Sequence, residues 1–360
     1  MRPIIDAHLD LAWNALSYGR DLTQPLTAIN AYETGMTDDK CRGHATVSLP
    51  DMHAARVRLC AATLLARVKP QVRPAEGFDR RDIDYQTSSI AHGVVCGQLG
   101  YYHWLQQCGL VRMIGDAAAL DDHWRDESAD APLGVILTME GADPMGSPDD
   151  AAAWFDRGLR VVNLVHNRQN QYAVGTGADG PLTDDGRALL GVMQQHGMIL
   201  DLTHLSDQSM GEAFDLYDGP MIASHHLCRA LSPHPRQLTD QQIRMIIERG
   251  GVIGIAVNTW MMRPDWTTGV TPRHEVTLSM LVDHIDHLCQ LAGDCKHVGI
   301  GSDLDGGFGN EATPNGIDAI GDLHKLDSLL KSRGYSDADI EAIFYGNWLR
   351  YFRQHLPQVG

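Results

Sequence analysis

The sequence predicts a (β/α)8 TIM-type barrel of the α/β class, with extra helices after the second strand and at the C-terminus. Three observations carry that prediction. Eight short β-branched and aliphatic runs recur along the 360 residues, at 3–8, 59–67, 133–140, 160–166, 198–204, 220–225, 251–257 and 297–303. They are mostly continuous apolar runs, as strands buried on both faces must be. Amphipathic stretches at 183–196, 207–217, 239–249 and 276–291 separate the later runs, and the length suits one large barrel.

Taken in order, the first run begins almost at once, as Ile4-Ile5-Asp6-Ala7-His8-Leu9-Asp10. The second is followed by residues 68–131, too long for one crossover and read as a helical insertion beside the barrel. The third, Leu133-Gly-Val-Ile-Leu-Thr-Met-Glu140, ends on a carboxylate that its apolar character does not require. The later helices have plausible N-caps in Thr183, Ser206 and Thr239 and stops at Gly197, Gly250 and Gly293. The tail after Asp303 carries the last helices and a packing segment at 344–352, so that 1–360 reads as one domain.

Composition removes several functions. With 29 Lys+Arg against 46 Asp+Glu the net charge is −17, and no basic stripe appears for a nucleic acid or an anionic membrane. No apolar run reaches the ~18–20 residues of a membrane-spanning helix, and MRPIIDAHLD has no signal-peptide pattern. Seven cysteines without a C-x-x-C pair suit a reduced, cytoplasmic chain. The 18 histidines, about twice ordinary usage, are a reason to look for a site.

That site lies where the runs end. Asp6, His8, Asp10, Glu140, His166, His204, His225 and Asp303 all fall at the C-terminal ends of predicted strands, the rim that carries the active site in barrel enzymes. Buried charges are costly unless paired or metal-bound. His8 and Asp10, two apart, point the same way and can meet one cation. Glu140 can bridge two cations through its two oxygens. Lys40, Lys69, Lys296, Lys325 and Lys331 end no predicted strand, which argues against a carbamylated-lysine bridge or a Schiff base. His204 and His225 suit a second metal; His226 competes with His225, because strand alternation turns only one inward. Asp303 can shuttle a proton, with Asp305 the turn residue beside it.

Two other patterns are set aside. Gly175-Thr-Gly177-Ala-Asp-Gly180, with Asp201 beyond it, has dinucleotide-binding spacing. Its strand ends near His166 and Pro181 follows, so it reads as an active-site loop. Asp283-His284-Ile285-Asp286-His287 reads as a solvated helix face.

A series of segments then runs in order through nearly the whole chain: D-A-H-L-D at 6–10, T-M-E-G at 138–141, N-L-V-H-N-R-Q-N at 163–170 and D-L-T-H-L-S-D at 201–207. It continues with S-H-H-L-C-R-A at 224–230, P-H-P-R-Q-L-T-D at 233–240 and G-S-D-L-D-G at 301–306. In these the chain resembles the renal (membrane) dipeptidase family, peptidase family M19, binuclear zinc hydrolases of the amidohydrolase superfamily. The resemblance implies two Zn2+ per chain, with His8 and Asp10 on one, His204 and His225 on the other, and Glu140 bridging. It implies hydrolysis of dipeptides, including those with a C-terminal D-residue, by a metal-bridging hydroxide, with Asp303 as the proton shuttle. By the same resemblance His166 steadies the carbonyl oxygen and Arg236 holds the substrate's C-terminal carboxylate, which its fork matches bidentately.

Gln237 stands where the family often has Asn, and Asn258 where animal members carry a substrate-contacting Tyr. Substrate preference is therefore open, and the alternative is a metal-dependent hydrolase of a non-dipeptide amide or lactone, or one serving a biosynthetic pathway. The secretion signal and lipid anchor of the animal enzymes are not found, as expected of a soluble bacterial-type member. The family often forms homodimers, though no interface is legible in the sequence.

Overall fold

The computed structural model describes residues 1–69 and 83–358. Eight parallel strands form the barrel: β1 (Ile4–Leu9), β2 (Val57–Leu64), β3 (Leu133–Glu140), β4 (Leu159–Asn163), β5 (Ile199–Asp201), β6 (Met221–His226), β7 (Ile253–Ile255) and β8 (Val298–Ile300). Their order is β2-β1-β8-β7-β6-β5-β4-β3, and a β2–β3 pairing closes the ring. A ninth strand, Val111–Met113, pairs with the start of β3 through Val111 and Leu133. The fold is the (β/α)8 barrel that the apolar runs predict.

Several runs extend past their strands. β4, β5 and β8 end three residues before His166, His204 and Asp303, which therefore sit in the loops that follow. The apolar run continues because the first loop residues (Leu164, Val165 and Leu202) are themselves buried after the ladder has stopped. Of the expected insertion, residues 70–82 lie outside the described residues; the rest holds the helices Ser88–Gln107 and Ala117–Arg125. The connection from β1 to β2 holds three helices that the sequence reading left unassigned, Leu11–Tyr18, Leu26–Tyr32 and Leu49–Ala54. The expected caps form: Thr183, Ser206 and Thr239 accept backbone N–H groups of Gly186, Ser209 and Gln242. No described helix is long and apolar enough to cross a membrane.

Two compact units emerge. The first comprises Met1–Leu11, Arg20–Cys60 and Ser224–Tyr351; the second comprises Ala12–Gly19, Ala61–Ala223 and the residues from Phe352. In the first, Trp348 is fully buried and donates from Nε1 to the Ile300 carbonyl at 2.9 Å. A Cβ on Gly299 would lie 2.1 Å from that indole nitrogen, so only glycine leaves room for it. Asn347 donates to the carbonyls of Val298 and Cys295 at 2.7 and 2.6 Å, fixing the last helix beneath β8. Trp348→Ala should cost about 3–5 kcal/mol of unfolding free energy, read from denaturant midpoints.

In the second unit, Gln98 on the inserted helix exchanges hydrogen bonds with both backbone groups of Leu65, at 2.7 and 2.8 Å. Tyr102 donates to the Thr63 carbonyl at 2.9 Å. The insertion is thus bolted to the end of β2.

Candidate metal centre

In the first unit the rim is built on β1. Asp6 accepts from the Ser302 backbone N–H (2.9 Å), the Ser302 hydroxyl (2.6 Å) and the His8 N–H (3.2 Å), tying β1 to the loop after β8. Burial pushes the Asp6 carboxyl up to about 6, against the pull of those bonds. His8 Nε2 lies 3.9 Å from Asp10 Oδ1 and 3.8 Å from Asp303 Oδ1. Donors ~2.1 Å from a tetrahedral ion stand roughly 3.4 Å apart, so this spacing suits a shared cation.

The electrostatics agree. Burial, reinforced by the Arg236 charge, holds the His8 pKa down to about 3, leaving a neutral imidazole with a lone pair to offer. Burial, then the neighbouring Asp10 charge, raises Asp303 well above the ordinary carboxylate range, while Arg236 pulls the other way. Two carboxylates crowded out of water call for a cation between them.

The histidine pair on β6 is separated by its partners. The His225 ring packs on His8, centroids 3.8 Å apart, and its Nδ1 lies 3.0 Å from Ser224 Oγ. His226 faces Arg236, whose Nη1 lies 3.1 Å from its Nδ1. Arg236 also donates from Nη2 to the His225 carbonyl at 3.0 Å. Asp305 is a buried clamp: it accepts from the Thr46 N–H and hydroxyl at 2.8 and 2.7 Å and lies 3.5 Å from Arg20.

In the second unit Glu140 closes β3. Its Oε1 lies 3.1 Å from His204 Nε2 and 3.7 Å from His166 Nε2, and the two imidazole centroids are 4.2 Å apart. Thr176, in the 175–180 loop, meets His204 Nδ1 at 3.0 Å. A Cβ on Gly175 would lie 2.7 Å from the His166 carbonyl and 3.0 Å from that of His204, so the loop reaches the site only with glycine there. His204 (φ 71°) and Asp303 (φ 59°) both have left-handed backbones. That conformation costs an L-residue on the order of 1–2 kcal/mol and recurs at functional sites.

Two residues depart from the sequence reading or go unmentioned in it, and a third, Asn258, has its Oδ1 engaged as a helix cap: it accepts the Trp260 N–H at 3.2 Å at the start of Thr259–Met262. The solvated-face reading of 283–287 fails at His284, which is buried and accepts the Cys228 N–H at 3.1 Å. It falls on the stripe of Leu281, Ile285 and Leu288 that packs helix Leu278–Ala292 inward. Arg67, missed entirely, reaches His166; no motif surrounds it, and its contact spans 99 residues.

Comparison with known proteins gives the same answer at the level of family. The model of the membrane dipeptidases, peptidase family M19, matches residues 1–357. The dipeptidase verJ of Clonostachys rogersoniana is 33% identical over 223 residues, 61% of this chain and 54% of that protein. An uncharacterized protein in the pqqA 5' region of Klebsiella pneumoniae is 28% identical over 233 residues, 62% of this chain and 83% of its own length. The chain spans about half the length of the fungal dipeptidases it matches. A metallo peptidase of Rhodobacter sphaeroides, crystallised with a phosphinate mimic of L-Ala-D-Ala, shares the fold with a TM-score of 0.79, 24% identity and 99% coverage of both chains. With the family model spanning nearly all of it, the chain belongs to the membrane dipeptidase family, peptidase family M19.

Proposed function

We propose that this protein is a zinc-dependent dipeptidase that accepts substrates with a C-terminal D-residue. One observation supports the reading above the others: imidazole and carboxylate donors, most of them buried, at cation-sharing distances in His8–Asp10–Asp303 and in Glu140–His166–His204. A donor set of nitrogen and oxygen without thiolate fits Zn2+. On this reading His8 and Asp10 would hold one ion and His204 and His225 the other, with Glu140 as the shared ligand. Zinc bound there acidifies the attacking water and polarises the scissile carbonyl.

The remaining steps fall to the protein. Asp303 takes a proton from the water and returns it to the leaving amine. His166 donates to the carbonyl oxygen as charge develops on it. Arg236, braced by the His225 carbonyl and His226, pairs with the free C-terminal carboxylate and so measures a substrate two residues long. Asn258, the remaining proposed substrate contact, follows β7 and caps the short helix there through its Oδ1.

The test is a panel of L,L- and L,D-dipeptides, their C-terminal amides, tripeptides and lactones. The Rhodobacter sphaeroides complex is the reason to include D-residues. Free dipeptides should be cleaved and their amides poorly. Arg236→Met should raise KM for dipeptides roughly 10–100-fold, the worth of a charged hydrogen-bonded pair. Cleavage of a lactone or another amide with every dipeptide refused would replace this reading with the alternative hydrolase.

A further inference from the structure

Arg67 and Asp84 stand beside the second cluster, where no motif pointed. Arg67 begins a short strand, Arg67–Val68, that pairs with Asp84–Tyr85 in the register Arg67 to Asp84. Its Nε and Nη2 donate to the two Asp84 oxygens at 2.8 and 2.9 Å, a fork-to-fork pair with both side chains under a fifth exposed. That leaves Nη1 directed at His166 Nδ1, 3.0 Å away. A guanidinium has only donors and does not deprotonate in proteins. The nitrogen it faces must therefore supply a lone pair, which puts the ring proton of neutral His166 on Nε2.

Nε2 is the nitrogen turned toward Glu140. A metal ligand presents a lone pair, not an N–H, and second-sphere partners decide which nitrogen is free to ligate. His204 has the opposite arrangement: its Nδ1 faces the Thr176 hydroxyl, which can accept an N–H and leave Nε2 open toward Glu140. Of two histidines at similar distances from one carboxylate, His166 thus faces an outer neighbour that can only donate, while His204 faces one that can accept.

We infer that Arg67, held by Asp84, is a positioning residue that fixes His166 as its Nε2–H tautomer, barring it from metal ligation and aiming a hydrogen-bond donor at the scissile carbonyl oxygen. The inference rests on the dipeptidase reading for its catalytic half only.

The test uses zinc-loaded protein and long-range 1H–15N correlation of the imidazoles. Wild type should show a protonated Nε2 and an unprotonated Nδ1 at His166. Arg67→Met should mix the tautomers and lower kcat about 10–100-fold, the usual scale for second-sphere partners, with KM nearly constant and bound zinc unchanged. Arg67→Lys, which keeps one donor, should recover part of kcat. Asp84→Asn serves if Arg67→Met fails to fold, and should show a smaller change of the same kind. A metal-bound nitrogen signal at His166, loss of zinc in His166→Ala, or an unaltered tautomer and kcat in Arg67→Met would overturn the inference. A wild-type protein that refuses dipeptides yet shows Nε2–H at His166 would instead overturn the dipeptidase reading and leave the tautomer assignment standing.

Discussion

Stripping metal with a chelator is expected to reduce dipeptide hydrolysis by at least about 10³-fold, and stoichiometric Zn2+ to restore it. The size follows from the several kcal/mol that Lewis-acid and water-activating roles supply. The geometry gives the reason. His8, Asp10 and Asp303 present three donor atoms within 4.8 Å of one another, with burial and then the Asp10 charge holding Asp303 above its ordinary range. A cation between those groups offsets the cost of holding two carboxylates close together away from water. Elemental analysis should accompany the assay, since full activity in protein shown to contain no metal contradicts the reading. Zinc should also raise the thermal midpoint in a concentration-dependent way, as any ligand of the folded state does.

Asp303→Asn should lower kcat by about 10²–10⁴-fold, the range for removing a general acid–base, while zinc content is retained. The amide keeps the shape but accepts no proton. Asp10→Asn, by contrast, should lose zinc together with activity, so that the two aspartates separate by metal analysis. The metal-free stabilities should also differ from intuition. A carboxyl whose pKa is raised in the fold is penalised when ionised, and that penalty is present above its unfolded pKa and vanishes as pH falls. Metal-free Asp303→Asn should therefore be at least as stable as wild type at neutral pH. An Asn variant that keeps more than about a tenth of kcat would take the proton shuttle away from this residue.

The barrel was legible because its signal is local and repeated: apolar runs, capped helices and glycine stops each announce themselves within a dozen residues. The rim residues were legible for a related reason, since charge at the end of an apolar run is anomalous wherever it occurs. What stayed hidden depends on distant partners. The choice of His225 over His226 rests on which ring meets His8 and which meets Arg236. Arg67 looks like any arginine after a strand until the chain brings Asp84 and His166 to it. His284 carries the same letters as a solvated charge cluster, and its burial follows from its place on the helix relative to Leu281 and Leu288. Helices of six to eight residues, as between β1 and β2, span too few turns for a period to show.

The left-handed backbones at His204 and Asp303 bear on how this barrel can be engineered. At such φ values glycine is the unstrained choice and asparagine the next, so substitutions that relax the metal-free fold are readily found at two positions to which the proposed function gives metal binding and proton transfer. Selection for thermostability alone would drift toward them and yield a sturdier, inert barrel. Stabilising campaigns on this scaffold should hold both positions fixed and screen for retained zinc alongside the melting temperature.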